Sequence, residues 1–434
     1  MSNLEIYRIA AYLLPLVAVL FIYFLVRRRQ EAAASKVLKE MVEAGLTEPS
    51  SLHPVIDPAK CLGAGACITA CPEEALGIIK GKAHFIEPAA CLGHGACQIA
   101  CPHDAITLVF GTEKRGMDIP QVDPNFETNV PGIFIAGELG GMGMIRKAAL
   151  QGSEAMKTIC TRKGDANQLD LVIVGAGPAG LTSGLVAIEK KMRYVIVEQE
   201  SSLGGCIYQY PRGKICMTAP FKFPLVGEVK WNEISKEQLF EFWNGVLEKT
   251  GMKINLGERM ETITRTDNGF IVKTTKQSYE TKTVLLAIGR RGTPRKLGVP
   301  GEELPKVVYR LIDAEEYKNM HVLVVGGGDS ALEAAIAIAE QPGTTVALSY
   351  RSDAFGRGKQ KNRDRLLELE KEGKIRVMLK SNVKLIEPDK VTLDHMGEIV
   401  ELKNDGVIIS AGGILPTPFL KEIGVMVEAK FGTT

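Results

Sequence analysis

The stretch LDLVIVGAGPAGLTSGLVAIEKKMRYVIVEQE, residues 169–200, decides the fold of most of the chain. An apolar strand, a glycine turn, a helix and a second apolar strand predict an α/β fold, a Rossmann-like three-layer dinucleotide-binding domain. The turn fits G-x-G-x-x-G, whose glycines let backbone N–H groups approach a pyrophosphate at a helix N-terminus. Glu198 ends the second strand and would accept a hydrogen bond from a ribose hydroxyl. The predicted turn residues are Gly175, Gly177, Pro178, Ala179 and Gly180.

A second unit of the same kind reads HVLVVGGGDSALEAAIAIAEQPGTTVALSYR, residues 321–351. Its second strand ends at Arg351 instead of an acid, and Arg357 follows closely. A guanidinium at this place suits a 2′-phosphate, which favours NADPH over NADH. The alternative is that these cations only solvate a loop. The turn has the G-x-G-x-x-A form, and its predicted nucleotide-binding residues are Gly326, Gly328, Asp329, Ser330 and Ala331.

A cysteine-rich repeat precedes both units: CLGAGACITACP, residues 61–72, returns as CLGHGACQIACP, residues 91–102. In the bacterial run C-x2-C-x2-C-x3-C-P, three cysteines bind one iron–sulfur cluster and the fourth binds the other. Here the second member of each run is replaced, by Ala64 in the first copy and by His94 in the second. The six remaining cysteines are Cys61, Cys67, Cys71, Cys91, Cys97 and Cys101.

Over residues 56–109 the chain resembles a two-cluster bacterial ferredoxin domain, a small α+β fold. The resemblance implies one cluster on Cys61, Cys67 and Cys101, and a second on Cys91, Cys97 and Cys71. Alanine has no donor atom, so the first site holds either a three-iron cluster or a four-iron cluster with one open or solvent-bound iron. His94 either completes the second site or is a solvated loop residue. Zinc, or a site that has lost its metal, is the alternative for all six cysteines.

The amino terminus predicts a membrane anchor. Residues 9–26 form an uncharged run long enough to cross a bilayer, and RRRQ follows directly. Because the positive charges follow the apolar run, a cleavable signal peptide is disfavoured, and the domains after Arg27 are expected in the cytoplasm. The alternative is a buried core helix. We therefore expect a single-pass membrane protein with an anchor over residues 1–29, a stalk over 30–55 and an iron–sulfur domain over 56–110.

Length, net charge and cysteine count favour a globular protein of several domains and argue against nucleic-acid binding and a disulfide-stabilised fold. The 434 residues suffice for two or three domains, and 45% of them are apolar. A net charge of +2 argues against nucleic acid as a partner. Nine cysteines in a reducing compartment are not expected to form a disulfide framework.

Three further stretches carry a second resemblance. Residues 284–303 and 405–420 are apolar strands at a domain crossover, and residues 122–156 contain IAGELGGMGMIRKAALQG. With the two glycine turns, they resemble the two-dinucleotide flavoproteins, in particular low-molecular-weight thioredoxin reductases and the ferredoxin–NADP reductases built on that scaffold. The resemblance implies FAD on the first fold and NADP, or else NAD, on the second. Glu138 would hydrogen-bond the ribityl chain, and the amides near Arg146 would face the isoalloxazine. The FAD residues implied in these stretches are Gly137, Glu138, Ile145, Arg146, Ala148 and Gly289.

The segment 122–156 stands in an unusual place, because in that family it ends the chain and here it precedes the first glycine turn. Joining residues 431–433 to Glu113 would restore the family order. The sequence therefore predicts a circularly permuted flavoprotein in which Thr434 lies close to residues 110–115; a spare FAD motif is the alternative. The predicted domains are 111–292 for FAD, beginning with the permuted segment 111–160, then 293–404 for NAD(P), with 405–434 returning to the FAD domain.

Two departures from the family weigh against disulfide chemistry. No C-x2-C pair precedes the second glycine turn, and Ala179 stands where related bacillithiol-disulfide reductases carry a cysteine. Cys160, Cys206 and Cys216 are therefore interpreted as structural.

The predicted function is a membrane-anchored NAD(P)H-dependent oxidoreductase. It would pass electrons between NADPH, FAD, two clusters of the 4Fe-4S or 3Fe-4S type, and a membrane-associated redox partner. No side chain is required as an acid–base catalyst. One alternative is an NADPH-dependent disulfide or small-molecule reductase that uses Cys206 or Cys216, and another is a redox-sensing module without turnover. The resemblance alone suggests a homodimer.

Overall fold

The chain forms two compact units, residues 1–115 with 432–434 and residues 116–431. The computed structural model describes residues 3–43, 47, 49, 52–91, 93, 95–113, 116–140, 144–210, 212–218, 220–231, 233–290, 292–355 and 360–432. His94, Arg357 and Thr434 therefore lie outside the described residues.

The first unit is the small α+β fold that the sequence predicts. Strand β1 pairs antiparallel with β4, and β2 pairs antiparallel with β3. Each of its two short helices begins after a glycine with positive φ, Gly65 or Gly95. Its elements are α1 (Asn3–Glu43), β1 (His53–Ile56), α2 (Ala66–Thr69), β2 (Leu76–Ile79), β3 (Lys82–Phe85), α3 (Ala96–Ile99) and β4 (Ile106–Val109).

Helix α1 extends from the predicted anchor through much of the predicted stalk. Its second half belongs to the first unit: Ala34 and Met41 are buried, and the Cβ of Ala34 would lie 2.7 Å from a Cβ added to Gly77. Among the residues that the structure describes, no helix is both long and apolar enough to cross a membrane, so the predicted transmembrane span is not found.

The second unit contains two large sheets, one mixed and one parallel. The elements of its first half are β5 (Met117–Pro120), β6 (Ile133–Ile135), α4 (Ile145–Ile159), β7 (Leu169–Val174), α5 (Pro178–Glu189), β8 (Tyr194–Val197), β9 (Ile215–Met217), β10 (Phe221–Phe223), β11 (Gly227–Val229), β12 (Glu233–Ser235), α6 (Lys236–Thr250), β13 (Met260–Thr266), β14 (Gly269–Thr274) and β15 (Ser278–Leu286). The remaining elements are β16 (Thr293–Pro294), β17 (Val307–Val308), β18 (His321–Val325), α7 (Asp329–Ala339), β19 (Thr345–Tyr350), α8 (Gln360–Lys371), β20 (Ile375–Leu379), β21 (Ser381–Ile386), β22 (Lys390–His395), β23 (Glu398–Lys403), β24 (Gly406–Ile409), β25 (Gly413–Ile414), α9 (Thr417–Glu422) and β26 (Val427–Lys430).

The first sheet has the strand order β13-β14-β15-β7-β8, and β6 also pairs with β15. Strands β6, β7, β8 and β15 run parallel, with Val284 opposite both Ile133 and Val172. Helices α4 and α5 pack against each other on a common core. Segment 122–156, distant in sequence from β15, is thus an integral part of the first dinucleotide fold.

The second sheet has the order β17-β24-β18-β19-β20 and is parallel throughout. An antiparallel sheet of β21, β22 and β23 follows it. Strand β24, which the sequence analysis placed in the returning segment 405–434, instead pairs with β18 in this sheet, where all four of its residues are buried. Strands β16 and β25 form a separate short antiparallel pair.

The carboxy-terminal strand β26 pairs antiparallel with β5, from Val427 opposite Pro120 to Lys430 opposite Met117. Within the first unit, the N–H of Gly432 donates to the carbonyl of Phe110 at 2.9 Å. The end of the described chain therefore lies beside residues 110–113, although Thr434 itself is not described.

Hydrogen bonds to the Asp170 carboxylate hold the amino-terminal end of β7 against neighbouring segments. This buried carboxylate accepts from Gly164 N at 2.9 Å, Arg193 N at 2.9 Å and the Arg193 guanidinium at 3.0 Å. Burial alone would raise the pKa of Asp170, but these hydrogen bonds outweigh it and hold the pKa below its ordinary value.

We expect Asp170→Asn to lower the free energy of unfolding by about 2 kcal/mol at neutral pH, because a charge-assisted hydrogen bond is lost. A folded-state pKa below the unfolded value means that the carboxylate stabilises fully above its ordinary pKa of about 3.9. The difference between wild type and variant should therefore shrink as the pH falls below that value, in urea titrations. Asp267→Asn, in an exposed turn, is the matched control and should change little. An equal deficit at all pH values would contradict the role of the charge.

Candidate cofactor-binding sites

The first glycine turn joins β7 to α5 and has no room for a side chain at Gly175 or Gly180. Gly175 has φ 106°, and a Cβ on it would lie 2.5 Å from the Ala287 carbonyl oxygen. A Cβ on Gly180 would lie 1.9 Å from the Gly175 carbonyl oxygen. Gly177 is the N-cap of α5, and Pro178 takes its first turn. Glycine at positions 175 and 180 lets the strand and helix approach closely, which fits a turn whose backbone binds a pyrophosphate.

Glu198 lies where the sequence predicts it, at the end of β8 and beside the turn. It is buried, its Oε2 accepts from Ala176 N at 2.7 Å and its Oε1 from Glu200 N at 3.0 Å. Burial raises the pKa of Glu198, against the lowering effect of these N–H groups. The carboxylate is therefore anchored to the glycine turn, the place from which it can reach a ribose hydroxyl.

The segment of β6 and α4 meets the same turn from the other side. A Cβ on Gly137, which has φ 90°, would lie 3.2 Å from the Ala179 Cβ and 3.7 Å from the Ala148 Cβ. Glu138 begins the 3₁₀ turn Glu138–Gly140 immediately after β6. The Gly137 N–H donates to Gln151 Oε1 at 2.8 Å, a contact that the sequence analysis missed.

Within the part of the chain that the structure describes, a polar group near the amino-terminal end of helix α4 lacks a partner. The side chain of the N-cap residue Met144 makes no capping hydrogen bond, and the next residue is Ile145. The Nε of Arg146 is buried and has no hydrogen-bond partner in the described part of the chain. Because buried donors are nearly always paired, this group fits a bound flavin that would accept from it. Gly289, with φ 64°, follows β15 in the same sheet.

The second glycine turn joins β18 to α7. Gly326 has φ 144°, and a Cβ on it would lie 2.4 Å from the Ser410 carbonyl oxygen and 3.1 Å from the Ala331 Cβ. Gly328 is the N-cap of α7, which begins with Asp329 and Ser330. Asn362 donates to Asp329 Oδ1 at 2.9 Å. This turn has the close-packed form expected of a dinucleotide site.

Arg351 follows β19 directly and is exposed. Tyr350, immediately before it, lies against the turn: a Cβ on Gly327 would be 2.3 Å from the tyrosine ring. Tyr350 also stacks on Phe355, with ring centroids 5.7 Å apart. Sequence analysis missed this aromatic pair, for which the only signal was its place at the strand end.

The cysteines of the repeat line two cavities in the first unit. The first cavity is lined by Cys61, Cys67 and Cys101 together with Ala64. The second is lined by Cys71, Cys91 and Cys97. Each cavity thus takes two cysteines from one copy of the repeat and one from the other, the grouping that the ferredoxin resemblance implies. His94 lies outside the described residues.

The thiols are closely spaced and largely shielded from solvent. Burial, with the nearby Cys61 and Cys101, raises the pKa of Cys67. Burial raises the pKa of both Cys91 and Cys97 to about 11. Metal binding therefore has to displace protons from thiols that would be neutral in its absence.

Backbone donors already point at two of the sulfurs. The Cys61 Sγ accepts from Ala83 N at 3.3 Å and the Cys101 Sγ from Ala105 N at 3.4 Å. Within the described residues no three Cys, His, Asp or Glu side chains converge closely enough for a single metal ion.

The other three cysteines, Cys160, Cys206 and Cys216, form no disulfide with one another or with the cysteines of the repeat. Burial raises the pKa of Cys216 to about 11, which makes it a poor nucleophile. Cys160 lies 3.5 Å from the Met192 sulfur, and Cys206 is half-buried in the 3₁₀ turn Gly205–Ile207. These positions give no support to disulfide exchange.

Comparisons with known proteins agree with this geometry. The profile of the pyridine nucleotide-disulphide oxidoreductase family matches residues 172–432, and that of the 4Fe-4S dicluster domain matches residues 53–102. Segment 117–156 lies outside both matched ranges.

The matches to individual relatives extend over most of the length of each relative. The ferredoxin–NADP reductase of Ignicoccus hospitalis is 30% identical over 280 residues, 60% of this chain and 83% of that protein. The bacilliredoxin reductase Bdr of Bacillus subtilis is 26% identical over 268 residues, 60% of this chain and 82% of that protein. Among solved structures, the bacillithiol disulfide reductase Bdr of Staphylococcus aureus matches with a TM-score of 0.51 and 26% identity, over 60% of this chain and 82% of that one.

Proposed function

Because the chain belongs to the pyridine nucleotide-disulphide oxidoreductase family and is a flavin oxidoreductase with a 4Fe-4S ferredoxin domain, we propose that it exchanges electrons between NADPH and a membrane-associated redox partner. FAD takes hydride equivalents from a nicotinamide, and iron–sulfur clusters carry single electrons. The observation that carries this proposal is the pair of cavities, each lined by three cysteines drawn from both copies of the repeat.

The residues of the chain would bind and orient these groups. The turn from Gly175 to Gly180 would hold the FAD pyrophosphate, with Glu198 on the ribose. The uncapped N-terminus of α4 and the unpaired Arg146 Nε would face the isoalloxazine. The second turn would hold NADPH, with Arg351 at its 2′-phosphate.

Anaerobic spectroscopy of the purified full chain tests the proposal. NADPH should bleach both the flavin bands and the broad iron–sulfur absorbance. Bleaching of the flavin alone would indicate the disulfide or small-molecule reductase with structural clusters. No bleaching would indicate a sensing module and would reject electron transfer.

Arg351→Ala should raise the KM for NADPH about ten- to a hundredfold, because a charge-assisted contact with phosphate is lost. The KM for NADH should change little, since NADH has no 2′-phosphate. Arg365→Ala is the control, because that guanidinium is paired with Glu340 and Glu368. An equal rise for both nucleotides would contradict the assignment.

We further propose that the amino-terminal helix attaches the protein to a membrane, with the later domains in the cytoplasm. The large apolar side chains from Leu13 to Val26 are exposed along α1, for example Leu14 at 69% and Phe21 at 63%. An exposed apolar surface of this kind favours contact with lipid, and Arg27–Arg29 suit the anionic cytoplasmic leaflet. The full chain should sediment with membranes and a chain lacking residues 2–29 should not. Recovery of the full chain in the supernatant would reject attachment.

The circular permutation is also a proposal. It is supported by the antiparallel pairing of β26 with β5, the hydrogen bond from Gly432 to Phe110, and the parallel pairing of β6 with β15. Strands β5 and β26 are neighbours in space but lie at the two ends of the sequence of the second unit. Linking β26 to β5 would join them as a hairpin. A rearranged chain, residues 165–431 followed by 116–164, should fold and bind FAD. Failure to bind FAD, with the original order binding it, would reject the permutation.

A further inference from the structure

The first cavity contains one donor side chain besides its cysteines. Among the described residues that line it, only Cys61, Cys67, Cys101 and His103 carry an atom that binds iron, because all the others have hydrocarbon side chains or are glycine. Ala64, at the position of the missing cysteine, lines the same cavity and offers no donor. The imidazole of His103 is thus the available fourth ligand of this site.

The internal repeat supplies independent support. In the second cavity the described donors are Cys71, Cys91, Cys97 and Glu73. Glu73 stands two residues after Cys71 as His103 stands two residues after Cys101. Glu74 and Asp104, the next residues, both have positive φ, 51° and 46°. The same left-handed turn therefore brings the residue after each Cys-Pro pair to a cavity that lacks one thiolate.

His103 is free to serve in this way. It is exposed, and within the described part of the chain it makes no hydrogen bond and no ion pair. Its ring can therefore turn toward the cavity without breaking an existing contact. By contrast, His53 of the same unit is buried and stacks on Phe85.

We propose that His103 ligates the fourth iron of the cluster held by Cys61, Cys67 and Cys101. This inference rests on the proposed function, since it presumes a cluster in that cavity. An imidazole nitrogen binds iron where solvent would otherwise bind, and imidazole in place of thiolate makes the cluster less negative, which raises its potential. The substitution of Ala64 for a cysteine is then compensated from the other copy of the repeat.

Hyperfine spectroscopy of the full chain, labelled with ¹⁵N only in histidine and reconstituted anaerobically with iron and sulfide, tests this. His94→Ala serves as the background, because His94 could bind iron at the second site. A ¹⁵N coupling to the reduced cluster should be present in that background and vanish on adding His103→Ala. Adding His103→Ala should also remove about one iron per chain and give the EPR signal of an oxidised three-iron cluster. His84→Ala, in the same unit but lining neither cavity, should leave the coupling unchanged.

A second variant separates ligation from folding. His103→Cys should keep the iron content, lose the nitrogen coupling and lower the potential of the cluster, because a thiolate restores the negative charge. Two results would overturn the inference about His103 and leave the proposed function standing. One is clusters that assemble without any histidine coupling in the His94→Ala background, and the other is a coupling that survives His103→Ala. Failure of the wild-type chain to take up iron and sulfide would overturn both this inference and the proposed function.

Discussion

Cys101→Ala is expected to remove the cluster of the first motif, although Cys101 belongs to the second. The reason is that Cys101 lines the cavity of Cys61 and Cys67, with its sulfur held by Ala105 N. Loss of one of three thiolates should leave that cavity without a stable cluster and reduce the iron content of the chain by about half. Cys71→Ala should do the same to the second cavity.

The measurement is a comparison of the spectra of the clusters that remain. The EPR spectrum of Cys101→Ala should match that of Cys61→Ala, and the spectrum of Cys71→Ala should match that of Cys91→Ala. Cys160→Ala, at a cysteine that lines neither cavity, is the control and should retain all iron. A match between Cys101→Ala and Cys91→Ala would show that each motif builds its own site and would reject the exchange of ligands.

Gly180→Ala should abolish FAD binding and destabilise the second unit by about 3 kcal/mol or more. The added Cβ would lie 1.9 Å from the Gly175 carbonyl oxygen, and Gly175 cannot retreat because its own α-carbon faces the Ala287 carbonyl. Helix α5 must therefore move away from β7 and open the turn that would hold the pyrophosphate. Flavin absorbance per chain and urea denaturation measure the two effects.

Gly245→Ala is the matched control for that change. Gly245 lies inside α6, and a Cβ on it would meet no atom within 4 Å. Alanine there should stabilise the protein by about 0.5–1 kcal/mol through helix propensity and leave flavin content unchanged. If Gly180→Ala also retains its flavin and its stability, the close packing of the first turn is not what positions the cofactor.

Sequence analysis located features whose requirements are local. Glycine is demanded at position 180 by the Gly175 carbonyl of the same strand–turn–helix unit, so the pattern itself reveals the site. The exchange of cysteines between motifs was accessible through the resemblance to two-cluster ferredoxins, in which the last cysteine of each run binds the other cluster.

Features that depend on distant parts of the chain were not accessible. Residues 30–43 were interpreted as a stalk because nothing in their composition shows that Ala34 meets Gly77. Strand β24 was placed in the returning segment because a buried apolar strand carries no sign of which sheet it joins. His103 could not be predicted as a ligand for the same reason, because only the folded structure shows that it lines the cavity of Cys61, Cys67 and Cys101.

The pairing of β6 with β15 has a consequence for how the protein is made. A ribosome emits residue 135 long before residue 284, so the nascent β6 has no partner at the time it leaves the exit tunnel. At about 5–20 residues per second the delay is on the order of 10 s, during which the apolar strand Ile133–Ile135 is open to mispairing. Faster translation and a smaller chaperone supply should therefore both lower the yield of folded chain.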